Sequence, residues 1–175
     1  MRQLSAVLLL CLLVHSNDNF LVAEQPSNNF ILYFFRHAEK QLDKGSDPEL
    51  TQAGHLRSIA LANFFSKKPD WELPRYFYST NYKRTVQTIR YTSERLGPHV
   101  QYYKPTELPL FAERLLSSQA STLIVGHSNT TPELIELVGG LAEPISESEY
   151  GTLYEVTINC DTHTVISTTK RSIGK

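Results

Sequence analysis

The chain has 175 residues, 41% hydrophobic and 20% charged, with a formal net charge of -1. That length suits one globular domain. The charge, with no basic stripe of interleaved aromatics, argues against a nucleic-acid binder, and no His, Cys or carboxylate cluster has metal-ligand spacing.

The first residues read as an export signal. Met1-Arg2 gives a short positive start, and residues 4–14 form an apolar core too short to cross a bilayer as a helix. A polar break, Ser16-Asn17-Asp18-Asn19, follows at once, and cleavage is expected near Ser16 or Ala23. Leu10 ahead of Cys11 argues against lipid attachment, where a small residue is wanted. Residues 1–23 are therefore expected to be a signal peptide and residues 24–175 the mature domain, exported to the periplasm or outside the cell, with no stable membrane insertion after cleavage. Cleavage removes Cys11, so Cys160 is left without a disulfide partner in its own chain.

After a polar linker over residues 17–29, residues 30–35 are continuously apolar and predict a strand buried on both faces, running directly into Arg36-His37. Gly45 and Pro48 break the following loop, residues 41–49. Thr51 predicts a cap on a helix starting near Gln52, with Ala53, Leu56, Ile59, Ala60 and Phe64 on its packed face. Gly54 in its first turn suggests close approach to another backbone. A loop with Pro69, Trp71 and Pro74 leads to a strand over residues 75–79 and a helix over 81–96 that Gly97-Pro98 stops. A short strand over 100–103, helical spacing over 108–116 and a buried strand over 122–126 come next. Thr131-Pro132 opens a helix to Val138, capped by Gly139-Gly140. Residues 152–158 and 164–169 alternate and are β-branched, a hairpin closed by residues 159–163. The expected fold is α/β: a three-layer sandwich with a mostly parallel central sheet, helices on both faces and the C-terminal β-hairpin at an edge.

In a parallel sheet, ligands bind beyond the carboxyl ends of the strands. Three strands end there in polar residues: Arg36-His37, Ser79 through Arg84, and Gly126-His127-Ser128-Asn129. Two arginines and two histidines at one rim suit phosphate, whose oxygens match the guanidinium fork. Arg36, Arg84 and His127 can hold the equatorial oxygens while His37 attacks in line. The attacking nitrogen must be unprotonated, which a carbonyl on the other ring nitrogen would enforce. No metal is required, because the arginines bring the positive charge.

Four segments resemble the histidine phosphatase superfamily, also called phosphoglycerate-mutase-like: Arg36-His37-Ala38-Glu39, Leu50-Thr51-Gln52-Ala53-Gly54, Tyr78-Ser79-Thr80 with Arg84-Thr85-Val86-Gln87-Thr88, and Val125-Gly126-His127-Ser128. They fall in the family's order and span the mature chain. The resemblance implies that His37 is the phosphorylated nucleophile and that Arg36, Arg84 and His127 form the phosphate pocket. Ala38 stands where glycine is commoner. The family often places a glutamate after the third strand, and Glu107 stands near there; Glu39 is the other candidate proton donor. As an alternative, Glu107 is a solvated carboxylate at a helix start. A different branch uses Asp after the second histidine, where this chain has Ser128. Asn129 and Glu39 are candidate substrate-binding residues, and the outer wall of the pocket is expected from residues 41–49, 67–74 and 102–110.

The reading is an exported, metal-independent phosphomonoesterase acting through a phosphohistidine on a small phosphorylated substrate, with no cofactor. A mutase must exclude water between half-reactions, and the core fold leaves little chain for a lid. The alternatives are a phosphate-ester binding module of the same fold with little or no turnover, and a phosphatase specific for phosphohistidine or sugar phosphates. The sequence carries no signal for oligomeric state.

Overall fold

The computed structural model describes residues 28–174; the expected signal peptide lies outside the described residues. One six-stranded sheet carries the fold: β1 (Asn29–Arg36), β2 (Tyr76–Ser79), β3 (Val100–Tyr102), β4 (Thr122–Gly126), β5 (Thr152–Asn159) and β6 (Val165–Ser172). The helices are α1 (Gln52–Phe65), α2 (Lys83–Leu96), α3 (Leu108–Ser118) and α4 (Thr130–Leu137). The strand order is β3-β2-β4-β1-β5-β6. The first four of these are parallel, while β5 runs antiparallel to β1 and pairs with β6 as an edge hairpin.

The apolar run of β1 is buried on both faces because its period-two alternation feeds two cores. Phe30, Leu32 and Phe34 join Tyr78, Ile124, Phe111, Leu115, Leu134 and Ile135 on the face covered by α3 and α4. Tyr33 and Phe35 join Phe77, Leu123, Val125, Leu61, Phe65 and Ile89 on the face covered by α1 and α2. The three-layer α/β expectation therefore holds, and the C-terminal hairpin lies at the sheet edge as expected.

The buried face of α1 differs from the sequence expectation. The residues buried are Gly54, Ser58, Leu61, Ala62 and Phe65, whereas Ala53 is exposed and Leu56 is 62% exposed. Ala60 and Phe64 do pack against the core while partly buried, but in the first two turns small residues do the packing and the apolar residues expected there stay outside. Gly54 is there because a Cβ would stand 2.3 Å from the Glu39 carbonyl oxygen. Thr51 caps the helix as expected, accepting from the Gly54 N–H at 3.1 Å. Its own N–H donates to the Glu39 carbonyl at 2.8 Å. This ties the start of α1 to the loop that follows β1.

A second correction concerns residues 67–74. They precede β2, whose first residue Tyr76 is level with Thr122, the first residue of β4. In a parallel sheet every helix-to-strand connection returns to the amino end, so Trp71 and its loop lie at the rim opposite Arg36-His37. Residues 138–151, between α4 and β5, reach the Arg36 rim instead. Among the described residues, no helix is long and apolar enough to cross a membrane.

Candidate active site

The strand register brings three chain segments to one rim. Arg36 at the end of β1 is level with Gly126 at the end of β4, and Ser79 of β2 is level with Val125. The ladders continue for one bond past the strands: His37 N–H donates to the Gly126 carbonyl at 2.9 Å, and Thr80 N–H to the Val125 carbonyl at 3.4 Å. His127 directly follows β4, its N–H donating to Thr130 Oγ1 at 3.0 Å. Arg84 projects from the first turn of α2.

The two imidazoles lie 5.6 Å apart between ring centroids. His37 is 2% exposed, and its Nδ1 is 2.8 Å from the Ala38 carbonyl oxygen. A carbonyl only accepts, so Nδ1 carries the proton and Nε2 is left with its lone pair. His127 is held in the opposite sense. Thr85 Oγ1 donates to the Thr80 carbonyl, and Thr80 Oγ1 donates in turn to Thr85 Oγ1. Thr80 Oγ1 therefore accepts the 2.9 Å bond from His127 Nε2–H. His127 Nδ1 is then a lone pair, facing Arg84 Nη2 at 3.4 Å. Burial, aided by the arginine charges, lowers the pKa of His37 to about 3 and that of His127 to about 4. Both rings are neutral near pH 7.

Arg36 is 1% exposed. Its Nη1 donates to the Ser146 and Glu149 carbonyls at 2.6 and 2.7 Å, and its Nη2 to the Glu147 carbonyl and to Glu147 Oε2, both at 3.1 Å. The Tyr150 ring stacks on it, 4.5 Å from centroid to guanidinium carbon, and Tyr82 stacks on Arg84 in the same way at 4.6 Å. These contacts leave Arg36 Nε, Arg84 Nε and Arg84 Nη1 buried without a hydrogen-bond partner. Asp47 Oδ1 lies 3.7 Å from Arg84 Nη1, beyond hydrogen-bond length. Orphaned guanidinium donors beside two imidazoles are what an oxyanion would satisfy.

The motif residues around this cluster act as struts. Thr88 Oγ1 accepts from the Ala38 N–H at 2.9 Å and donates to the Arg84 carbonyl at 2.7 Å, so one hydroxyl links the loop after His37 to α2. Gln87 Oε1 accepts from Leu50 N–H at 2.8 Å. Gly126 gives room to Tyr103 and Thr130, whose hydroxyls would lie 2.7 and 2.9 Å from a Cβ.

The remaining candidates from the sequence are placed as follows. Both oxygens of Glu39 accept from Arg57 Nε at 2.9 Å, and Oε1 also accepts from Arg57 Nη2 at 2.6 Å. Burial pushes the Glu39 carboxyl up, but the Arg57 bonds outweigh it and hold the group below the usual carboxylate range. Glu107 stands at the N-cap position of α3 without a side-chain cap bond and pairs with Lys104 at 2.8 Å. It lines a depression with Tyr102, Tyr103 and Leu110, and it makes no hydrogen bond to the two arginines or two histidines. Asn129 is exposed at the start of α4, facing a shallow depression with Pro132 and Glu133. Glu147, which no motif marks, is the carboxylate that contacts Arg36. Among the described residues, no group of three or more His, Cys, Asp or Glu is placed to hold a metal ion.

The fold has counterparts among known proteins. Residues 32–114 match the model of the histidine phosphatase superfamily (branch 1). The structure of the protein histidine phosphatase SixA complexed with tungstate aligns with a TM-score of 0.67, covering 82% of this chain and 97% of that one at 18% identity. The chain carries the histidine phosphatase fold. A mycobacterial glucosyl-3-phosphoglycerate phosphatase aligns at TM-score 0.60 and 15% identity, over 82% of this chain and 98% of that one. A phosphoserine phosphatase from Entamoeba histolytica, in complex with 3-phosphoglyceric acid, aligns at 0.57 and 12%, over 83% and 97%. At these identities the neighbours establish the fold. No curated protein sequence matches the chain.

Proposed function

We propose that this protein is a phosphomonoesterase in which His37 is transiently phosphorylated. The observation that carries the reading is the set of three orphaned guanidinium donors beside a histidine whose Nε2 lone pair is free. Arg36 Nε and the Arg84 donors take the equatorial phosphoryl oxygens. His127 takes a proton on Nδ1 when the dianion enters and becomes a third cationic donor. His37 Nε2 attacks phosphorus, the ester P–O bond breaks, and Nδ1–H remains on the Ala38 carbonyl. Water then cleaves the N–P bond. The arginines supply the charge that a metal would otherwise bring, so activity is proposed to be metal-independent.

The substrate is a small phosphorylated molecule or a phosphohistidine, classes named for structural neighbours of the same fold. Export rests on residues 4–14 and their flanks alone, and is proposed on that basis. The test is hydrolysis of 4-nitrophenyl phosphate with and without chelator, alongside His37→Ala. Turnover that survives chelator and disappears in the variant is the expected result, with a fall on the order of 10³-fold or more. Unchanged turnover in His37→Ala would overturn the assignment. An inactive wild type that still binds vanadate would mark a phosphate-binding module instead.

A further inference from the structure

A phosphohistidine mechanism needs a proton for the leaving oxygen, and neither carboxylate marked by the sequence is placed to give it. Glu39 has both oxygens committed to Arg57, and Glu107 pairs with Lys104 beside α3. Asp47 accepts from the backbone N–H of Lys83 at 2.9 Å. Glu149 accepts from Thr152 Oγ1 at 2.8 Å.

Glu147 differs from all four. Its Oε2 is 3.1 Å from Arg36 Nη2 and 3.8 Å from Lys40 Nζ. Its Oε1 accepts a hydrogen bond from Ser128 Oγ, on the residue directly after His127. The carboxylate is thus held by the residue before the nucleophile and by the residue after the second histidine. It is also 70% exposed, so it stands at the mouth, where a leaving group must sit. Four of the five Arg36 N–H groups are taken up by residues 146–149, and the fifth, on Nε, is free. A phosphoryl oxygen bound at Nε therefore lies on the same guanidinium as the Glu147 carboxylate.

We propose that Glu147 is the general acid that protonates the leaving oxygen, and the base that takes the proton of the attacking water in the second half-reaction. The assignment rests on the phosphomonoesterase reading above. In the unliganded protein the Ser128 hydrogen bond, with Arg36 and Lys40, keeps the carboxyl ionised. A phosphate dianion offsets those two cations, and the carboxyl takes a proton from solvent as substrate binds. When His37 Nε2 bonds to phosphorus and the ester bond breaks, that proton passes to the alkoxide, which leaves as the alcohol. Water then attacks the phosphohistidine, its proton goes to Glu147, the N–P bond breaks, and phosphate departs. Proton and phosphoryl group balance over the cycle.

The experiment compares two esters in the wild type, Glu147→Gln and Glu107→Gln. One is 4-nitrophenyl phosphate, whose leaving group needs no proton; the other is an alkyl phosphate, whose alkoxide does. In Glu147→Gln the ratio of alkyl to aryl kcat/KM is expected to fall by about 10²-fold or more. An equal loss on both esters would make Glu147 a positioning residue for Arg36 and overturn the proposal. So would an unchanged ratio, or a selective loss in Glu107→Gln in its place. A wild type with no turnover of either ester and no phosphohistidine would refute the phosphatase reading itself, a separable outcome.

Discussion

His37 and His127 are held by opposite ring nitrogens, one on a carbonyl and one on a hydroxyl. Both are buried in their neutral forms, which has a consequence for stability. Their native pKa values, about 3 and about 4, lie below the ordinary 6.5, so between those limits the unfolded chain binds more protons than the native one. The contribution of each ring is complete above about pH 6.5 and is lost as pH falls through the window. Each histidine is expected to add a slope of about 1.4 kcal/mol per pH unit there. Urea denaturation of His37→Asn between pH 4.5 and 6 should show a shallower pH dependence than the wild type; an identical slope would contradict the burial argument. Thr88 permits a second test at this scale. Thr88→Val keeps the volume but leaves the Ala38 N–H buried without an acceptor, at a cost of about 1–3 kcal/mol. Because Ala38 also holds the His37 ring, the proposed mechanism predicts that phosphohistidine formation slows as stability falls; a variant as stable and as fast as wild type would show the strut to be dispensable.

Strand β1 was legible in the sequence because six apolar residues in a row have no other outlet than two cores. Arg36, His37, Arg84 and His127 were legible as a set because parallel strands bring their carboxyl ends together. The packed face of α1 was legible only in its later turns, at Ala60 and Phe64, since Gly54 and Ser58 act through their smallness, which hydrophobic periodicity does not weigh. Glu147 was not, since residues 138–151 have neither periodicity nor motif, and the contact with Arg36 spans 111 residues. Residues 67–74 do not form the expected wall, because a segment leading into a parallel strand lies at the amino end of the sheet, opposite Arg36-His37. Gly54→Ala tests the first of these points. In an open helix the change stabilises by about 1 kcal/mol. Here the added Cβ meets the Glu39 carbonyl, and the expected result is a net loss of roughly 1–3 kcal/mol in chemical denaturation. A stabilised variant would show that the approach of α1 to this loop is not tight.

For the molecule as a whole, Arg57 joins parts that are distant in sequence. From α1 it binds the Glu39 carboxylate in the loop after His37 and the carbonyl of Ile173 beyond β6, and a Cβ at Gly151 would meet its guanidinium at 2.3 Å. Ile173 N–H in turn donates to the Gly151 carbonyl at 2.7 Å, beside the Tyr150 that stacks on Arg36. The edge hairpin is therefore fastened to the Arg36-His37 rim through one side chain. Arg57→Ala is expected to cost roughly 2 kcal/mol, the pair being partly exposed, with faster amide exchange at both residues 37–40 and residues 171–174. Faster exchange at only one of the two segments would show that they are not coupled.

The hold on Arg36 comes chiefly from main-chain carbonyls of Ser146, Glu147 and Glu149. Every amino acid carries that acceptor, so the grip is indifferent to which side chains stand at positions 146 and 148 and sensitive to how many residues the turn contains. Related chains are then free to drift in spelling along this stretch while keeping its length. A library randomised at those two positions should stay largely active, whereas removal of a single residue between 146 and 149 should silence it.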